Sequence, residues 1–140
     1  MTAEGTRSVF VYGTLRPGDV RWHHLRPFVT GDGVPDTAAG CLYDSGLGYP
    51  AALFGGAGVI HGETFELWPE RLEECLAVLD DVEGTVAGLY ARIRITTGRG
   101  IVAWSYQYGG GLGIRPIASG DWMRRDAPAG GGDVTRTPRR

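Results

Sequence analysis

The chain contains no lysine and no asparagine; all 14 of its basic residues are arginine. Without lysine there is no phosphate-loop lysine, and no amine to form a Schiff base with a carbonyl substrate or pyridoxal phosphate. Without asparagine, an Asn oxyanion donor is excluded. Cysteine is scarce. Cys41 and Cys75 show no motif spacing, and Cys75 falls on the apolar face of an expected helix, so two reduced, buried thiols are expected. No apolar run reaches membrane-spanning length. Met1 to Arg7 is polar, so no secretory leader is expected and the cytoplasm is the default compartment. A net charge of −2 argues against nucleic-acid or anionic-membrane partners.

What is present suits a single domain. At 140 residues, 42% of them hydrophobic, the chain can bury a real core. Residues 1–7 read as a loose arm, 8–126 as the domain, and 127–140, rich in Gly, Pro and charge, as a disordered tail. Val59 to Leu67 alternates as a strand should. Pro69 then opens a helix in which Leu72, Cys75, Leu76 and Leu79 form an apolar stripe that ends near Asp80. Leu89 to Thr96 and Ile101 to Tyr108 alternate again across Gly98-Arg99-Gly100, which predicts a β-hairpin. Gly55-Gly56-Ala57-Gly58 reads as a loop between strands. Gly109 to Gly113 reads as a loop near a pocket mouth, because Pro116 stands where a dinucleotide fingerprint needs its third glycine. Asp121 to Arg125 is expected to form a short terminal helix. Together these elements predict an antiparallel-rich α+β domain.

Two segments carry chemistry. Val9-Phe10-Val11-Tyr12 is apolar on both faces, as in a buried central strand, and runs into Gly13-Thr14-Leu15-Arg16. A glycine there lets the chain turn sharply and lets backbone N–H groups approach an anion. The second segment, Leu79-Asp80-Asp81-Val82-Glu83-Gly84, is followed by Tyr90 and Arg92. Like charge from Asp80 and Asp81, the helix dipole and partial burial would each raise the pKa of Glu83 toward the range useful for proton transfer. A solvated acidic turn is the plainer alternative.

Tyr12-Gly13-Thr14-Leu15-Arg16-Pro17-Gly18 resembles the N-terminal substrate loop of the gamma-glutamylcyclotransferase superfamily. Leu79 to Gly84 with Tyr90-x-Arg92 resembles that family's segment bearing the catalytic Glu. Gly40 to Asp44, Tyr49-Pro50-Ala51 and Val59 to Phe65 follow in the family's order, so the resemblance spans roughly residues 8 to 110. It implies a small, mixed, mostly antiparallel β-barrel-like sheet with one or two flanking helices. It also implies conversion of a gamma-glutamyl amide to 5-oxoproline and a free amine, with no cofactor or metal.

On that resemblance Glu83 is the general acid/base, and the N–H groups of Gly13, Thr14 and Leu15 hold the substrate alpha-carboxylate. Tyr12 lines the pocket or donates from its phenol. Arg16 either pairs with the carboxylate or faces solvent. Tyr90 and Tyr106 are aromatic walls or phenolic donors near Glu83, and Tyr49 belongs to the rim. Leu15-Arg16 resembles the gamma-glutamylamine branch more than the Tyr-Gly-Ser-Asn form of the gamma-glutamyl-amino-acid enzymes. The antibiotic-pathway members that strip a protecting gamma-glutamyl group remain open. Trp22-His23 stands where the family often has Asn-His, and Thr85 to Leu89 is longer than in compact members. His23, His24 and His61 do not have metal-ligand spacing. The implied partner is a small-molecule gamma-glutamyl substrate, with no nucleic acid or membrane, and the protein is a monomer or homodimer. The alternatives are a binding domain of the same fold that has lost turnover, and an oligomerising scaffold presenting Trp22, Trp68, Trp104 and Trp122.

Overall fold

The computed structural model describes residues 6–46, 48–84, 90–110 and 115–124. Its centre is β1 (Ser8–Val11), which pairs antiparallel with β3 (Pro50–Glu66) on one side and parallel with β5 (Val102–Tyr108) on the other. The sheet continues outward through β2 (Val34–Asp44) beyond β3, β4 (Tyr90–Thr96) beyond β5, and the short β6 (Arg115–Pro116). The resulting order is β4-β5-β1-β3-β2-β6 in a curled, mixed half-barrel. Two α-helices accompany it, α1 (Trp22–Leu25) and α2 (Leu72–Glu83).

The central strand is apolar on both faces because both faces are covered. Side chains alternate across a strand. Val9 and Val11 therefore enter a cluster with Leu25, Phe28, Phe65, Cys75 and Leu79 beneath the helices. Phe10 and Tyr12 enter a second cluster with Leu42, Ile60, Ala103 and Trp122 on the other face of the sheet. Ser105, fully buried on β5, donates its hydroxyl to the Phe10 carbonyl at 2.8 Å. Trp122 belongs to a 3-10 turn, Trp122–Arg124, which takes the place of the expected terminal helix.

Several sequence expectations shift. Pro69 opens a 3-10 turn, Pro69–Arg71, and the α-helix starts at Leu72. The helix runs past Asp80 to Glu83, because Val82 extends the apolar stripe and packs on the core. Gly84, at φ 74°, then caps it by donating its N–H to the carbonyls of Asp80 and Asp81. Gly55 to Gly58 lies within the span of β3. There the register jumps from Gly40↔Phe54 to Ala39↔Val59, so these residues bulge from the ladder. Cys75 is buried, its thiol pushed up to about 12 by that burial, but Cys41 is exposed. At the N-terminus, the carbonyls of Thr6 and Arg7 accept from the Trp104 indole and the Leu67 N–H, so this part of the expected arm is tied down. The remainder of the arm, the tail, the Thr85 to Leu89 loop and most of the Gly109 to Gly113 loop lie outside the described residues.

Asp36 fastens the β4–β5 turn to β2. Its carboxylate accepts from the Thr37 N–H (2.8 Å), the Arg99 N–H (3.1 Å) and the Thr64 hydroxyl (2.8 Å). Burial alone would raise its pKa, but hydrogen bonds from Thr97, Thr37, Thr64 and Arg99 outweigh that and hold it below the ordinary value. The stability it contributes is present above the unfolded-state pKa of about 3.9 and is lost as pH falls through the lower folded value. Asp36→Ala is expected to cost about 1–3 kcal/mol near neutral pH, since it strands the donors of Thr37, Thr64, Thr97 and Arg99. Urea unfolding checks this: the gap between variant and wild type should narrow at about pH 3.

Candidate active site

Beyond Val11 the chain leaves the sheet and turns. The carbonyl of Gly13 accepts from the Arg16 N–H at 3.0 Å, and that of Thr14 accepts from the Arg21 N–H at 2.8 Å. The N–H groups of Gly13, Thr14 and Leu15 have no acceptor among the described residues, although all three residues are buried. A buried N–H without an acceptor is costly and calls for a partner. Gly13 packs on Pro50 so closely that a Cβ there would lie 2.4 Å from the Pro50 Cγ. Only glycine allows this approach.

A small cavity opens between this turn, the start of β3 and the end of α2. Its walls include Tyr12 to Leu15, Arg21, Tyr49, Pro50, Glu83, Tyr90 and Tyr106. Glu83 is the last residue of α2 and keeps partial exposure as a residue, but its carboxyl is desolvated. Burial pushes its pKa up to about 7, and the positive charge of Arg21 pulls the other way. The cause thus differs from the sequence expectation. Asp80, thought to press on Glu83 by like charge, is held by Arg92 at 2.8 Å and 3.3 Å and accepts from the Tyr106 phenol at 2.7 Å.

The tyrosines form a neutral lining. Tyr12 donates to the Tyr106 carbonyl at 2.5 Å, Tyr90 to the Pro50 carbonyl and Tyr106 to Asp80. A phenol has one proton to give, so in this arrangement each can accept from a ligand but not donate to it. Burial, chiefly, raises all three above the ordinary phenol pKa. Tyr49 stands edge-on to Tyr90, with ring centroids 6.2 Å apart.

Of the residues singled out in the sequence, Tyr12, Gly13, Thr14, Leu15, Tyr49, Glu83, Tyr90 and Tyr106 meet at this cavity. Arg16 does not. It turns away to pair with Glu63 (3.1 Å) and Asp121 (2.9 Å), pinning the β1 turn to β3 and the C-terminal 3-10 turn. The sequence reading missed Arg21, a lone arginine with no local signal of proximity to Glu83. His23 and His24 lie on α1 and His61 on β3. Among the described residues no group of three or more His, Cys, Asp or Glu is placed to hold a metal ion.

The fold and cavity define a small α+β protein whose half-barrel presents a protonatable buried carboxyl beside the amide-lined tip of its central strand. The chain belongs to the gamma-glutamyl cyclotransferase, AIG2-like family, whose model matches residues 9–124. It is 37% identical over 121 residues to the gamma-glutamylcyclotransferase family protein YtfP of Escherichia coli K12, covering 84% of this chain and 97% of that protein. It is 32% identical over 109 residues to the gamma-L-glutamyl-butirosin B gamma-glutamyl cyclotransferase of Niallia circulans, covering 72% and 66% of the two chains. Protein PH0828 of Pyrococcus horikoshii shares the fold, with TM-score 0.65, 24% identity and coverage of 85% of this chain and 92% of that one. Gamma-glutamylcyclotransferase-like enzyme function follows at the level of the family.

The site generates a stability signature that needs no substrate. The folded state holds the Glu83 proton more tightly than the unfolded chain does. Wild-type stability should therefore fall as pH rises from about 4.5 through about 7. Glu83→Gln removes that loss. Thermal melts should show the variant gaining on wild type across this window and holding a constant lead above it. A constant offset at every pH would place the carboxyl in water.

Proposed function

We propose that this protein converts a gamma-glutamyl amide, of an amine or an amino acid, into 5-oxoproline and the free amine, with Glu83 as general acid/base. The observation that carries this reading is the meeting in one cavity of a carboxyl with pKa near 7 and three buried N–H groups without internal acceptors. The alpha-carboxylate of the substrate takes the N–H groups of Gly13, Thr14 and Leu15, which satisfies them and fixes the glutamyl end. The side chain then folds back within the tyrosine lining, so that the alpha-nitrogen faces the gamma-carbonyl.

Glu83, ionised, takes a proton from the alpha-ammonium. The freed amine attacks the gamma-carbonyl carbon, and the C–N bond to the leaving amine breaks as Glu83 returns that proton to the leaving nitrogen. Glu83, ionised again, takes the second proton from the ring nitrogen and passes it to the released amine, which leaves as an ammonium beside the neutral lactam. Atoms balance without water, an oxidant or an external nucleophile. Because both reacting groups belong to one molecule, rate comes chiefly from holding the folded-back conformer. A carboxyl poised near 7 serves both proton steps, since neither its acid nor its base form is scarce at neutral pH. Arg16, paired with Glu63 and Asp121, acts through the turn it anchors and not on substrate. The setting we infer is cytoplasmic. The unpaired thiols Cys41 and Cys75 are consistent with a reducing compartment.

Release of 5-oxoproline from a panel of gamma-glutamyl amines and dipeptides tests the proposal. Glu83→Gln should lower kcat by about 10²- to 10⁴-fold with little change in KM. In wild type, kcat/KM should rise with pH through about 7, and this limb should be absent from the residual activity of the variant. Equal activity of the two proteins would remove Glu83 from the mechanism. Tight binding with no 5-oxoproline would favour a binding domain of the same fold. Gly13→Ala should raise KM at least about tenfold, because its Cβ would drive the turn off Pro50.

A further inference from the structure

One charged group in the cavity wall has no task in the chemistry above. Arg21 lines the cavity with Glu83 and Tyr90, and its guanidinium lies 5.6 Å from the centre of the Tyr49 ring. Arg7, Arg16, Arg71 and Arg92 are each paired with a carboxylate, whereas Arg21 has no ion pair among the described residues. Glu83 is a poor counter-ion for it, since a carboxyl with pKa near 7 is protonated for much of the time at neutral pH. An arginine of a cavity wall whose guanidinium lies near an aromatic ring, with no ion pair among the described residues, is suited to bind an anion from solution.

Position decides which part of a substrate it would meet. The N–H groups of Gly13, Thr14 and Leu15 belong to buried residues and take the glutamyl end. Arg21 and Tyr49 retain partial exposure, so they occupy the outer part of the same cavity. The Arg21 N–H bonded to the Thr14 carbonyl at 2.8 Å fixes its distance from the turn. A group that extends past the scissile amide toward solvent would lie among the partly exposed lining residues, of which Arg21 is the cation.

We propose that Arg21 is the specificity-determining residue and that it binds a carboxylate carried by the leaving amine. The preferred substrates are then gamma-glutamyl conjugates of alpha-amino acids or peptides, in preference to those of uncharged amines. This rests on the reading of the N–H turn and Glu83 given above, and it departs from the gamma-glutamylamine preference suggested by Leu15-Arg16.

Gamma-glutamyl-alanine and gamma-glutamyl-alaninamide are near-isosteric and differ in that one charge. Their Kd values, measured by calorimetry on Glu83→Gln protein so that neither is consumed, should differ by at least about tenfold in favour of the acid. Adding Arg21→Gln should bring the two within about twofold by weakening the acid alone, and Arg21→Glu should reverse the order. A ratio of two ligands on one protein is insensitive to partial misfolding. Equal binding of both ligands when Arg21 is present would overturn the proposal. So would equal weakening of both by Arg21→Gln, which would place Arg21 on the shared glutamyl part. Failure of both to bind would overturn it together with the proposed function. The expected ratio without 5-oxoproline release by wild type would support the Arg21 assignment while removing the cyclotransferase reading.

Discussion

Asp80 is the fastening on which the site depends. It receives two hydrogen bonds from Arg92 on β4 and one from the Tyr106 phenol on β5, so the last turn of α2 is fixed to two strands at once. Residues three apart lie on the same face of a helix. Holding Asp80 against the sheet therefore aims Glu83, three residues on, toward the tip of β1. Arg92 is itself backed by the Trp104 ring at 4.7 Å, and the Gly84 cap keeps the helix from fraying before Glu83 is reached. An acid on a loop would not be positioned with comparable definition.

The same fastening sorts the three acids of this segment by environment. Asp80 is taken up by the Arg92 guanidinium and the Tyr106 phenol. Asp81 is exposed. Glu83 alone is desolvated without a close cation bonded to it, and burial raises its pKa. The tyrosine lining contributes without supplying charge. Its phenols are committed to protein acceptors, so they hold the walls of the cavity at fixed spacing. Arg21 enters this environment as the one cavity cation with no ion pair among the described residues, and its placement beside Tyr49 sets it apart from the anchoring arginines.

Much of this was legible beforehand, for local reasons. Val9 to Val11, apolar without alternation, pointed to a strand covered on both faces, and β1 is paired on both edges. The hairpin from Tyr90 to Tyr108 was written in alternation and a glycine turn. Helix α2 was legible from its stripe, although its end was not. Asp80-Asp81 reads as a stop in isolation, and only the burial of Val82 against the core keeps the helix going to Glu83. Gly55 to Gly58 looked like a loop because glycine density marks turns. Yet the strand on either side stays paired with β2, and the glycines are absorbed as a bulge.

The site divides in the same way. Tyr12 to Leu15 and Glu83 stood out because each belongs to a contiguous segment whose order and residue types carry meaning by themselves. Arg16 and Arg21 are chemically identical in sequence and flank the same turn. One is claimed by Glu63 and Asp121 and leaves the cavity, while the other stays in its wall. No local pattern separates them, because the separating groups come from β3 and from the C-terminal 3-10 turn, remote along the chain. The sequence by itself marked the central strand, the long helix, the hairpin and the two candidate site segments, since these depend on backbone preference and side-chain chemistry within a few residues. Which acid is desolvated, and which arginine has no ion pair among the described residues, were decided only by tertiary packing, because charge energetics depend on what lies across a few ångströms of space.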